Sequence, residues 1–100
     1  MDIYGTKLGT IVSQIEQMSA VALRDQIAAG ELTATALAER CIARIEAREA
    51  EVQAWEWFQP DHALAQAKVL DEAFSAGGVK GPLHGLPVGL KDVIDTRDAP

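Results

Sequence analysis

Lys91 is the residue whose placement asks for a chemical explanation. The run His84-Gly85-Leu86-Pro87-Val88-Gly89-Leu90-Lys91-Asp92-Val93-Ile94-Asp95 sets an ammonium inside what reads as a buried apolar stretch. A lysine at its reference pKa of about 10.4 is protonated at neutral pH and cannot serve as a base. Burial among apolar neighbours such as Leu90 and Val93 disfavours the charged form, by roughly 3–5 units where burial is complete. A lysine tuned in that way can take a proton from a hydroxyl and activate a serine without histidine. The plainer alternative is a charged strand terminus with Asp92 as its solvated neighbour, and composition alone favours it.

Other chemistries fit this segment poorly. A phosphate loop wants G-x-x-x-x-G-K-[ST], but Gly85 and Gly89 stand at the wrong spacing and Lys91 is followed by an acid, which repels phosphate. The dinucleotide fingerprint is not met either. Two histidines and one cysteine are too few for a metal site of the usual ligand spacing, so no metal and no cofactor are expected. Cys41 falls on the apolar face of an expected helix and reads as an inert core thiol.

From Gly77 onward the chain holds five of its eight glycines and three of its four prolines. Gly81, Gly85 and Gly89 recur every four residues, with Pro82 and Pro87 fixing torsions between them. This texture suits a loop leading into a short buried strand, Leu86 to Leu90, where Gly89 admits a close neighbour. The segment GPLHGLPVGLKDVIDT resembles the lysine-bearing segment of the amidase signature family, with its G-P-L-H/Y-G-x-P-x-x-x-K-D pattern. The likeness extends over residues 19–100, although only residues 81–96 are specific.

The resemblance implies an α/β fold several hundred residues long, a mixed β-sheet surrounded by helices, of which this chain is the helix-rich N-terminal part. It implies hydrolysis or transfer at an amide carbonyl of a small carboxamide through a Ser–cis-Ser–Lys triad. The triad lysine matches Lys91. The family's serines stand in a Gly/Ser-rich loop that has no counterpart among Ser13, Ser19 and Ser75, so the segment alone is expected to be inactive. Asp92 is expected to orient the loop, and Asp95 and Thr96 to hold a turn. The family accepts Tyr at the position of His84, which weighs against a catalytic histidine.

Several elements must carry this segment. Leu8, Ile11, Val12, Ile15 and Met18 give a helix over 6–18, either docked on the domain's own core or serving as a dimerisation arm, so a homodimer stays open. The chain is accordingly divided into a helical extension, 1–18, and the amidase portion, 19–100. Ser19 caps a second helix that carries Leu23 and Ile27 and stops near Gly30. Thr33 caps a third, with Ala34, Leu37, Ala38, Cys41, Ile42 and Ile45 on one face. Arg40, Arg44 and Arg48 are expected to pair with Glu39, Glu46 and Glu49 along it. Residues 52–58, VQAWEWF, read as a strand ended by Pro60, with Trp55 and Trp57 on its core face. Asp61 is expected to cap a last helix over 62–75.

The formal net charge is −6, with no basic run, which speaks against direct nucleic-acid contact by this segment. No leader pattern or apolar span appears, so the cytoplasm is the expected location and no membrane contact is foreseen. Three functional readings remain: an amidase that releases ammonia or an amine, the glutaminase subunit of a tRNA-dependent amidotransferase, or a non-catalytic helical module. A module should fold cooperatively alone, whereas a piece of a larger sheet should aggregate.

Overall fold

A computed structural model of the chain describes residues 14–91 and 93–97. A 3₁₀ turn, Ile15–Gln17, precedes three helices: α1 (Ala20–Ala28), α2 (Ala34–Val52) and α3 (Pro60–Gly77). The Gly/Pro-rich segment follows without regular structure.

The helix starts are set by short polar side chains. The Ser19 hydroxyl accepts from the Ala22 N–H at 3.1 Å, and the Thr33 hydroxyl accepts from the Ala36 N–H at 3.0 Å. Each satisfies an amide that the first helical turn leaves without a partner. Gly30, at φ +77°, takes the chain out of α1. At α3 the expected Asp61 cap is replaced by a different solution. Pro60 occupies the first helical position, where its missing N–H costs nothing, Gln59 precedes it, and Asp61 lies in the first turn.

A further cap comes from another helix. The Asp71 carboxylate on α3 accepts from Ala34 N–H at 2.7 Å, from Thr35 N–H at 3.0 Å and from the Thr35 hydroxyl at 2.5 Å. An anion thus sits on the positive end of α2 and fixes the two helices in antiparallel register. Below it, Ala34, Ala38 and Ala67 are buried against one another, flanked by Leu64 and Leu70. Small side chains there let the helices approach closely. A second apolar cluster joins Ile15, Ile27, Leu32 and Leu37, with Met18, Leu23, Cys41 and Leu86 packed on it.

Several expectations need correction. Most of the helix expected over 6–18 lies outside the described residues; from residue 14 the chain forms a turn and then the 3₁₀ turn. Ile15 and Met18 are docked on the chain's own core, and Glu16 pairs with Arg40. Arg40 therefore bonds outside α2, whereas Arg48 does pair along the helix, with Glu51 at 3.2 Å and not with one of the glutamates named for it.

The strand expected over 52–58 does not form. α2 runs on to Val52, and Gln53 ends it in the left-handed region at φ 52°, donating its N–H to Glu49 O at 2.8 Å. The Glu49 carboxylate then accepts from Trp55 N–H at 3.1 Å, which ties the backbone past the helix back to its last turn. Trp55 is 39% exposed and Trp57 half-buried, so the pair does not build a core. Residues 86–90 are likewise unpaired, and no strand occurs among the described residues. A lone extended segment leaves its amides and carbonyls unmet, so β-propensity without a neighbouring strand makes no strand.

Candidate active-site segment

The lysine-bearing segment divides into a pinned root and a free arm. Two turns shape the root: His84 N–H donates to Gly81 O at 3.2 Å, and Leu86 N–H to Leu83 O at 3.1 Å. His84 is buried at 7% exposure and Gly85 is buried beside it. The His84 Nδ1 accepts from Lys80 N–H at 3.1 Å, and the Nε2–H faces the Leu70 carbonyl on α3 at 3.0 Å. A backbone donor at Nδ1 places the ring proton on Nε2, which then donates to that carbonyl. The Phe74 ring stands 6.4 Å away, centroid to centroid.

Gly85 sits at φ +83°, where a side chain is strained. A Cβ there would lie 3.0 Å from Ile27 Cδ1 and 3.2 Å from Ala34 Cβ. The root is therefore wedged between α1 and α2 at a position where a side chain would be both strained and crowded. Leu86 completes the anchor by packing on the Ile27 cluster.

Beyond Leu86 the chain leaves the helices. Val88 is 69% exposed and Leu90 56%. Lys91 is exposed as well, and its carbonyl accepts from Ile94 N–H at 3.0 Å, closing a turn. The apolar enclosure expected from Leu90 and Val93 is absent among the described residues, since both are themselves exposed. Gly89 makes a close approach to the 53–59 loop, for a Cβ on it would lie 3.1 Å from Trp55 Cη2. Asp92 lies outside the described residues; Asp95 is exposed and Thr96 half-buried.

A shallow apolar groove of about 180 Å³ lies elsewhere, at the far end of α2, lined by Arg44, Arg48, Val52 and Trp55 among others. Lys91 is not among its lining residues, although Trp55, which lines it, also meets Gly89 on the lysine arm. No cluster of three or more potential metal ligands occurs among the described residues. Cys41 is half-buried, and burial, with Glu16 nearby, pushes its thiol pKa up. Sequence reasoning missed Asp71 and the two hydrogen bonds of His84. The Asp71–Ala34 and His84–Leu70 bonds span 37 and 14 residues, which local pattern does not signal, whereas the Lys80–His84 bond is local and closes only once the loop is folded.

The amidase family model matches residues 36–100, which includes the whole pinned root and its arm. The chain belongs to the amidase family. Among its curated relatives is a glutamyl-tRNA(Gln) amidotransferase subunit from Chloroflexus aggregans, 40% identical over 89% of this chain and 18% of the relative. The protein of the same name from Streptomyces coelicolor is also 40% identical over the same shares. A Mycobacterium bovis protein named "Putative amidase AmiD" is 33% identical over 86% of this chain and 18% of the relative. This amidase chain thus spans about 18% of the length of the curated relatives it matches. No solved structure matches it significantly. No helix among the described residues is long and apolar enough to cross a membrane.

Proposed function

We propose that the protein carrying this amidase segment cleaves the C–N bond of a small carboxamide, with Lys91 as the base of a Ser–cis-Ser–Lys relay. One observation carries the reading: the G-P-L-H-G-L-P-V-G-L-K-D run lies inside the matched residues 36–100, and its resemblance to the family's lysine-bearing pattern is what assigns the lysine role to Lys91. The neutral Lys91 amine takes a proton, through the bridging serine, from the nucleophilic serine. That serine Oγ attacks the carbonyl carbon, and the tetrahedral intermediate collapses as the C–N bond breaks. The proton returns from the Lys91 ammonium to the leaving nitrogen, and ammonia or an amine departs. Water or an acceptor amine then attacks the acyl-serine and restores the enzyme. The relay's serines are none of Ser13, Ser19 and Ser75; Ser19 is already engaged in capping α1.

The chemistry requires Lys91 to be enclosed by apolar surface. The exposed Leu90, Val93 and Ile94 are apolar side chains suited to face such a cover. In the full-length protein Lys91→Ala is expected to lower amide hydrolysis by about 10²–10⁴-fold. Lys91→Arg is expected to fall equally, because a guanidinium does not release its proton. Ammonia release in Lys91→Ala above a tenth of the parent rate would sink the reading.

A second reading is favoured by the names of the relatives at 40% identity, both amidotransferase subunits. Here the amide is glutamine, and the ammonia passes to a partner protein that holds glutamyl-tRNA. This acidic segment makes no contact with the RNA itself. Glutaminase activity that rises on adding the partner and charged tRNA selects this reading; equal turnover of simple carboxamides without them selects the stand-alone hydrolase. The cytoplasm is the proposed compartment in both. Residues 1–18 as an extension that self-associates belong to the hydrolase reading, and sedimentation of the full chain with and without them tests it.

A further inference from the structure

We propose that His84 is a positioning residue for Lys91, holding the root from which the lysine-bearing arm projects. This rests on Lys91 acting as the base. The arm from Leu86 to Lys91 is five residues long, a span of at most about 17 Å when extended, so its tip follows its root. Apolar contacts at Gly85 and Leu86 press that root against α1 and α2, but packing alone permits sliding and rotation. His84 adds direction. Its Nδ1 gathers the Lys80 amide and its Nε2–H reaches Leu70 O, so one imidazole ties two turns of the loop to a fixed point on α3.

Leu70 precedes Asp71, whose carboxylate fixes α2 against α3. The loop and the helix pair are thereby referenced to the same half-turn of α3. The ring is buried, so its polar atoms find no water if either partner is lost. A buried phenyl at this position keeps the volume and loses both hydrogen bonds, and the root is then free to turn. Displacing a catalytic group by about 1 Å costs roughly 10²-fold in rate, with substrate binding little changed.

The experiment uses the full-length enzyme and compares His84→Phe, His84→Gln, His84→Asn and Asp71→Asn, measured well below their unfolding midpoints. His84→Phe is expected to lower kcat about 10²-fold with KM within about threefold. His84→Gln, which keeps a donor for Leu70 O, is expected to recover at least a tenth of the parent kcat. Asp71→Asn weakens the helix pair but leaves the His84 tie, and should keep kcat within twofold. The proposal is overturned if His84→Phe keeps kcat within twofold, or if Asp71→Asn loses as much as His84→Phe. Should His84→Phe fail to fold, the remaining pair decides: a lower kcat in His84→Asn, which cannot reach Leu70 O, supports the proposal, and equal values overturn it. Lys91→Ala is run beside them. If it still releases ammonia, the catalytic reading and this proposal fall together; an inactive Lys91→Ala beside an unaffected His84→Phe removes this proposal alone.

Discussion

Gly81 and Gly85 stand four residues apart in one loop, and the protein asks different things of them. Gly85 adopts φ +83° and faces Ile27 and Ala34 at distances that would crowd a Cβ, whereas nothing lies within 4 Å of a Cβ on Gly81. Gly85→Ala should therefore destabilise by about 1–3 kcal/mol from strain, with crowding added, and Gly81→Ala should fall within about ±0.5 kcal/mol. Urea midpoints of the two variants check this. A second prediction concerns Cys41, whose thiol is held above the ordinary range by burial. Only the thiolate attacks an alkylating agent, so a raised pKa means less nucleophile at a given pH. Cys41 should react with iodoacetamide more slowly in the native protein than in urea at the same pH, and equal rates would contradict the burial argument.

At the scale of elements, the N-terminus of α2 is held twice, locally by Thr33 and across the helix pair by Asp71. The two caps differ in cost. Thr33→Ala removes an exposed hydrogen bond, worth about 1 kcal/mol. Asp71→Ala leaves two amides and a hydroxyl without their shared carboxylate in a half-buried place, costing about 1–3 kcal/mol for each group left unsatisfied. Asp71→Ala should be the larger loss by denaturant unfolding, and should speed hydrogen exchange at Ala34 and Thr35. The turn at Ile15–Gln17 is held more weakly, through Ile15 and the Glu16–Arg40 pair. The Arg40 guanidinium, donating to Glu16, holds that carboxyl below its ordinary range. A depressed folded pKa gives stability that is present above the unfolded value and lost as pH falls through the folded one. Docking of this turn should loosen on acidification below the carboxylate range and on adding salt, and Glu16→Gln should abolish the pH dependence. Exchange rates of the 15–18 amides from neutral pH down through the carboxylate range are the check.

The molecule as a whole covers little apolar surface on the side of the lysine arm. Leu83, Val88, Leu90, Val93 and Ile94 are all more than half exposed within a dozen residues. So many exposed apolar side chains on an unpaired segment invite association. The 100-residue chain produced alone is expected to self-associate and to bind a hydrophobic dye, and substituting Val88 and Leu90 with Asp should reduce both. A monomer that unfolds in one sharp transition without dye binding would instead favour a free-standing helical module. The same exposure bears on the proposed chemistry, because Lys91 gains a low-dielectric site only when that surface is covered.

Features that depend on residues close together in the chain were legible before any packing was known. Ser19 and Thr33 cap their helices as read, since a cap needs only a hydroxyl and an amide three residues on. The apolar periodicity of α2 and the stop at Gly30 were legible for the same reason: helical contacts span three or four residues. The G-P-L-H-G-L-P-V-G-L-K-D run carried the family resemblance because it is one contiguous pattern. Features that depend on distant neighbours were settled by packing. VQAWEWF has the composition of a strand, yet a strand is a relation between two segments, and here α2 runs to Val52 and the backbone is tied back to Glu49 instead. Arg40 bonds to Glu16 and Asp71 to Ala34 because packing brings together groups 24 and 37 residues apart. Whether Lys91 can be a base belongs to the same class, since its pKa depends on what surrounds it and not on which residues adjoin it in the chain.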